Sequence, residues 1–182
     1  MYSTQPQGYL EAELGDWKAN RMFRIGVVDG GLFTFSDFFY RPHHEDKPLI
    51  VISNPRSVLY QMELTEPFWR SAQSTHIRAV VFSKQPLTHV NACITSQPKN
   101  SHDCLESFEL KHVKGPLWVA PWSAKKYQKG LYYITITASV FLCCTFALFH
   151  QLTTNTFSHR MITSQANSPV RSLSTKPSHH FR

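Results

Sequence analysis

Apolar and polar residues alternate along much of this chain with the two-residue period of a strand. Thr75 to Phe82 (THIRAVVF) alternates and then runs apolar, and His89 to Ile94, Phe108 to Lys111 and Leu131 to Thr137 (LYYITIT) repeat the pattern. Gly115-Pro116 opens a further segment, LWVAPW, from Leu117 to Trp122. Such alternation sends successive side chains to opposite faces of a sheet. The densest apolar run, Leu49 to Ile52, lies between Pro48 and Asn54-Pro55. An unbroken run of this kind predicts a strand buried on both faces, and proline bounds it because it has no N–H for a ladder. Strands spaced at roughly 10–20 residues with turn chemistry between them predict an all-β fold, an antiparallel β-sandwich. Trp118 and Trp122 share a face of their strand, and core packing is the expectation for both.

Before Pro48 the pattern is weaker. Leu10 to Leu14, Arg24 to Val28 and Leu32 to Phe39 are short strand candidates, separated by the turns Gly15-Asp16-Trp17-Lys18 and Asp29-Gly30-Gly31. Together they predict a β-meander over residues 9–40, too small to bury a core alone and so the edge of something larger. Residues 41–47 (RPHHEDK) read as a charged linker. Met62 to Ser74 reads as a loop or short helix anchored by Phe68 and Trp69, and residues 95–107 as a polar surface loop.

A chain of 182 residues with 42% hydrophobic and 13% aromatic content holds enough for one domain with a real core. Its net charge of +7 is an uneven average. Residues 1–109 carry 10 Lys/Arg against 12 Asp/Glu, whereas residues 110–182 carry 9 Lys/Arg and no acid. Such a surplus suits a membrane surface, a nucleic acid, or simply a solvated basic tail. No RRM, KH or zinc signature occurs, and Phe157 and Phe181 are the sole aromatics after residue 150, so a nucleic-acid partner is not expected. His43, His44, Glu45 and Asp46 invite a metal, but a structural zinc needs four converging ligands, and a solvated loop is the favoured reading. Cys143-Cys144 sit in an apolar run as small hydrophobes; a Cys93–Cys104 bridge across a short loop is the minority reading, open to an oxidising compartment, and unpaired thiols are the favoured one. The N-terminus shows no cleavable signal pattern.

LEAELGDWKANRMFRI (Leu10 to Ile25), PLIVISNPRSVLY (Pro48 to Tyr60) and STHIRAVVFS (Ser74 to Ser83) resemble the transmembrane protein 62 family, with KGPLWVAPWSAKKYQKGLYYITI (Lys114 to Ile136) as a weaker fourth block. The resemblance runs colinearly over roughly residues 5–137. It implies a calcineurin-like metallophosphoesterase domain, then an immunoglobulin-like sandwich, then transmembrane helices. On that pattern residues 1–40 are the remnant C-terminal strands of the phosphoesterase-like domain, 41–47 the linker and 48–137 the sandwich, with no recognisable last strand. Two-metal phosphoester chemistry needs GDxH-, GNHD- and GHxH-type motifs. None occurs here. No catalytic, cofactor-binding or metal residue is therefore assigned, and no cofactor or small-molecule substrate is expected. The expectation is a truncated, non-catalytic module; the alternative is a fragment of a membrane-bound phosphoesterase whose hydrolase residues lie in sequence missing here.

Leu131 to Phe149 is uncharged over nineteen residues, just enough for a helix to span a bilayer. Its first seven residues also match the family's strand, and without them residues 138–149 are too short to span. The favoured reading is a strand followed by an apolar segment, 138–150, with membrane contact through 131–149 left open. Residues 151–182, rich in Ser, Thr, Asn, His and Pro, read as a disordered basic tail.

Overall fold

The computed structural model describes residues 2–42, 47–60, 62, 65–66, 69–96, 104–127, 130–141 and 154–162. Tyr2–Thr4 (β1) pairs with Leu10–Ala12 (β2), and a single helical turn, Trp17–Asn20 (α1), follows. Asp16 caps that turn by accepting the Lys18 N–H at 2.8 Å. Met22–Asp29 (β3) and Leu32–Phe39 (β4) form a hairpin closed by Gly30 and Gly31 at φ of 60° and 82°. Two consecutive positive φ values at the centre of a two-residue loop are what the Asp-Gly-Gly sequence supplies at no steric cost.

The chain then builds Leu49–Asn54 (β5), the short helix Trp69–Ala72 (α2), His76–Phe82 (β6) and Leu87–Thr95 (β7). Glu106–Glu109 (β8), Lys111–Lys114 (β9), Leu117–Pro121 (β10), Leu131–Val140 (β11) and Thr154–Ile162 (β12) complete it. One four-stranded sheet has the order β5-β6-β10-β9 and the other β12-β11-β7-β8. All their described pairings are antiparallel. Leu110, buried between β8 and β9, is where the chain passes from one sheet to the other. Its N–H donates to Val90 O at 2.8 Å.

Period-2 alternation explains the core directly. Ile50 and Ile52 of β5, Ile77, Ala79 and Val81 of β6, and Ala120 of β10 meet Val90, Ala92 and Ile94 of β7 and Ile134, Ile136 and Ala138 of β11. Trp122, Ala124 and Tyr127 close one end, and Trp118 packs on the margin of the same cluster. The strand predicted to be buried on both faces is so. Val51, pointing away from that core, is also fully buried, because the β3–β4 hairpin packs on the outer side of β5.

Several expectations change. Trp69 is 57% exposed and anchors nothing in the core, while Phe68 lies outside the described residues. Residues 131–140 are one strand, in line with the favoured reading, and the alternative of a single spanning helix over 131–149 fails because a ten-residue strand already holds the first half of that segment. Among the described residues no helix is long and apolar enough to cross a membrane. The sandwich strand extends past the expected boundary at residue 137 to Val140. Residues 154–162, expected to be disordered, pair with β11 from Leu131↔Ile162 to Ser139↔Thr154 and supply the strand that the sequence did not reveal. The rest of the tail, 163–182, and the apolar residues 142–150 lie outside the described residues.

Core phase yields a direct test. Ile52→Asp places an unpaired carboxylate in the shared core and is expected to cost on the order of 4 kcal/mol or abolish folding. Val80→Asp, on the half-buried outer face of β6, should cost about 1 kcal/mol. Equal losses in urea unfolding would mean that Val80 also points into the core.

Candidate functional site

The most constructed part of the molecule is the seam where the N-terminal hairpin meets β5 and the segment after it. Asp29, read from sequence as a turn residue, is its centre. Its Oδ2 accepts from Ser53 Oγ at 2.8 Å and pairs with Arg78 Nε at 2.6 Å. Arg70 donates to the carbonyl of Gly30. The register of β5 against β6 shifts between Ile52 and Asn54, which brings Ser53 into reach of both Asp29 and the Arg78 carbonyl. Further along, Leu10 N–H meets Met62 Sδ at 3.2 Å and Thr65 Oγ1 donates to Gly8 O at 3.2 Å, seating the β1–β2 turn.

The second part of the seam is the corner Asn54-Pro55-Arg56-Ser57, whose Asn54–Pro55 peptide bond is cis. Asn54 Nδ2 donates to Ser74 Oγ and to the His76 carbonyl. Arg56, 5% exposed, forms a buried ion pair with Glu66, and Glu66 Oε2 also accepts the Met62 N–H at 3.1 Å. Burial lowers the Arg56 guanidinium to about 10, because its charged form has lost water. Sequence reasoning missed Arg56 and Glu66. The signal was present in a cation four residues beyond an apolar run, but its partner lies ten residues further on.

Elsewhere Arg24 reaches Asp37 through two bonds, at 2.6 and 2.9 Å, and the Ala12 and Glu13 carbonyls at 3.1 Å, with its guanidinium 4.1 Å from the Phe35 centroid. Glu106 accepts from Lys126 Nζ at 2.9 Å and from the Tyr127 hydroxyl. The Lys126 bond, then the Tyr127 bond, holds the Glu106 carboxyl below its ordinary range. Burial, followed by the Glu106 contact, pushes the Tyr127 phenol well above its own.

Open space is shallow. A groove of about 570 Å³ is bordered by Lys47, Leu49, Phe82, Lys84 and Pro116, and a neighbouring one of about 420 Å³ by Gln85, Leu87, His112 and Trp118. Neither brings together an acid, a base and a nucleophile. Among the described residues no group of three His, Cys, Asp or Glu is placed to hold a metal. The His43-His44-Glu45-Asp46 cluster lies outside them. Cys93 and Cys104 form a disulfide.

Two facing antiparallel sheets of this order, with a chain that changes sheet at Leu110, define an immunoglobulin-like β-sandwich. The family profile described as the TMEM62 Ig-like domain matches residues 44–140, and the chain belongs to that family. It is similar to transmembrane protein 62 of Mus musculus, 37% identical over 130 residues, which cover 71% of this chain and 18% of the mouse protein. The chain thus spans under a fifth of that relative. A crystal structure of an engineered protein shares 15% identity over 66% of this chain and 21% of its own, at a TM-score of 0.42, too loose to carry an argument.

Breaking the buried pair by Arg56→Met alone should cost about 3–5 kcal/mol, since Glu66 is then buried without its cation. Adding Glu66→Gln should recover a large part of that loss, and a double-mutant cycle in denaturant reads the difference. The Glu106 contacts predict a pH response. A depressed carboxylate stabilises the fold above its unfolded value of about 4.3, and that contribution is lost as pH falls through the lower folded value. Glu106→Gln should therefore flatten the acid limb of stability between about pH 5 and 3. An unchanged acid limb would show that Glu106 contributes nothing there.

Proposed function

We propose that this chain supplies a non-catalytic immunoglobulin-like module of a membrane protein of the transmembrane protein 62 type. The observation that carries the reading is the docked hairpin. Val51 is sealed beneath it and Asp29 ties it to Ser53 and Arg78, so the module is built to hold a preceding segment in a fixed position. The face of the hairpin turned away from β5 leaves Val28, Phe33 and Phe39 at 71%, 36% and 51% exposure. Residues 1–40, on this reading, are the closing strands of an adjoining domain that buries that face. Any phosphoester hydrolysis by the wider protein belongs to that adjoining domain and to residues outside this chain. Placement at a membrane follows from the name of the mouse relative and not from a spanning helix in 131–149.

Purified chain given manganese and a generic phosphomonoester should release phosphate at the background rate. Turnover that requires a divalent ion and stops with chelator would overturn the non-catalytic reading. Asp29→Ala separates docking from folding. It should weaken the hairpin's protection from amide exchange while the sandwich core stays protected, with a loss of about 1–2 kcal/mol confined to residues 22–39.

A further inference from the structure

We infer that Cys93 and Cys104 are a structural disulfide that pins the edge strand β8, and that the sandwich therefore resides on the oxidising side of a membrane. Cys93 lies in β7 directly opposite Ser107 of β8, and Cys104 sits three residues before Ser107. Their Cα atoms are 5.7 Å apart, within the span of an unforced disulfide. Cys104 is exposed and Cys93 half-buried, so an oxidant can reach the pair in the folded chain.

The bond acts where apolar burial is thin. β8 is four residues long and pairs with β7 alone, at the edge of its sheet. Ser107 and Glu109 are exposed, and Phe108 only partly packs on the core. The whole passage to the other sheet, through Leu110 into β9, hangs from this strand. Non-covalent support comes from the Leu105 N–H to Ile94 O bond at 2.8 Å, the Glu106 contacts and Leu110. A crosslink of sequence separation 11 fixes the start of β8 against β7 and removes loop freedom from the unfolded chain.

The chemistry is a two-electron exchange with a protein or small-molecule disulfide as oxidant. The thiolate of one cysteine attacks the oxidant's disulfide and expels one of its sulfurs as a thiolate. The second cysteine's thiolate attacks the mixed disulfide, closes the Cys93–Cys104 bond and releases the other sulfur. The two protons lost by the cysteines end on the two thiols of the reduced oxidant. Such bonds persist in secretory and exoplasmic compartments and are kept reduced in the cytosol of ordinary cells.

The test uses the full chain carrying Cys143→Ser and Cys144→Ser, expressed in eukaryotic cells, quenched in acid and treated with a polyethylene-glycol maleimide. No adduct is expected before reduction and two after it. Two adducts before reduction would overturn the compartment assignment. For the pin, dithiothreitol added to purified oxidised chain should lower the unfolding midpoint by about 10 °C or more, with amide protection lost first in residues 105–114. The Cys93→Ser, Cys104→Ser variant should not respond to reductant. An unchanged midpoint and unchanged protection at 105–114 on reduction would overturn the pin, whether or not the serine variant folds.

Discussion

Strand β5 has no face left for water, and most of the molecule follows from that. Ile50 and Ile52 need the opposite sheet, and Val51 needs a cover on the outer side. Each fully buried Val or Ile side chain contributes about 1.5–3 kcal/mol that exposure would forfeit. Parting the hairpin from the sandwich would uncover Val51 on one side and Leu32 and Thr34 of β4 on the other. A two-stranded hairpin on its own is marginal in water. Neither part is complete alone. This mutual dependence is why the N-terminal strands are fixed to the immunoglobulin-like domain rather than tethered by a free linker.

Polar groups then decide how the two parts meet. Apolar packing alone would let the hairpin slide along β5, since Val51 offers no directional contact. Asp29 removes that freedom by accepting from Ser53 and Arg78 together. The Arg56–Glu66 pair does the same for the segment after the cis proline, with Glu66 holding Met62, which meets Leu10 beside the β1–β2 turn. A buried ion pair is weak evidence for net stability, because desolvation offsets much of its attraction. Its effect here is on register, since any other seating leaves a buried charge unpaired.

How much of this was legible depended on whether the deciding interaction was local. The run Leu49 to Ile52, the Asp-Gly-Gly turn and the alternation of β7 carry their own signal, and each appears where the sequence placed it. In β6 the signal fades after Arg78, which marks the outer face. In Ala79-Val80-Val81 no polar residue marks the outer face, and small Ala79 rather than Val80 turns inward. Leu131 to Thr137 is the strand that its alternation predicted, and only its continuation through Ala138 to Val140 was hidden, in the uncharged run that goes on to Phe149. Strand β12 was invisible for a different reason. TNTFSHRMI has no core periodicity of its own, and its order comes from the ladder with β11. Asp29, Arg56 and Glu66 likewise acquire their roles only from partners far along the chain.

The charge pattern also changes meaning once placed. The surplus of cations after residue 109 suggested a basic tail, yet Lys111 and Lys114 stand on β9 and Lys125 and Lys126 on a single 3-10 turn, Ala124–Tyr127, that closes one end of the core. β9 is an edge strand with all four residues exposed. An exposed edge invites pairing with another chain, and lysine is among the means by which proteins discourage it. Lys126 meanwhile serves Glu106, at the start of the other sheet's edge strand. The neighbouring edges therefore differ: β9 presents charge along its free side, and β8 is tied to the strand inside it by a covalent bond. An acidic segment would meet complementary charge on Lys111 and Lys114 of β9, whereas the disulfide fixes where β8 starts against β7 and leaves its outer side to solvent.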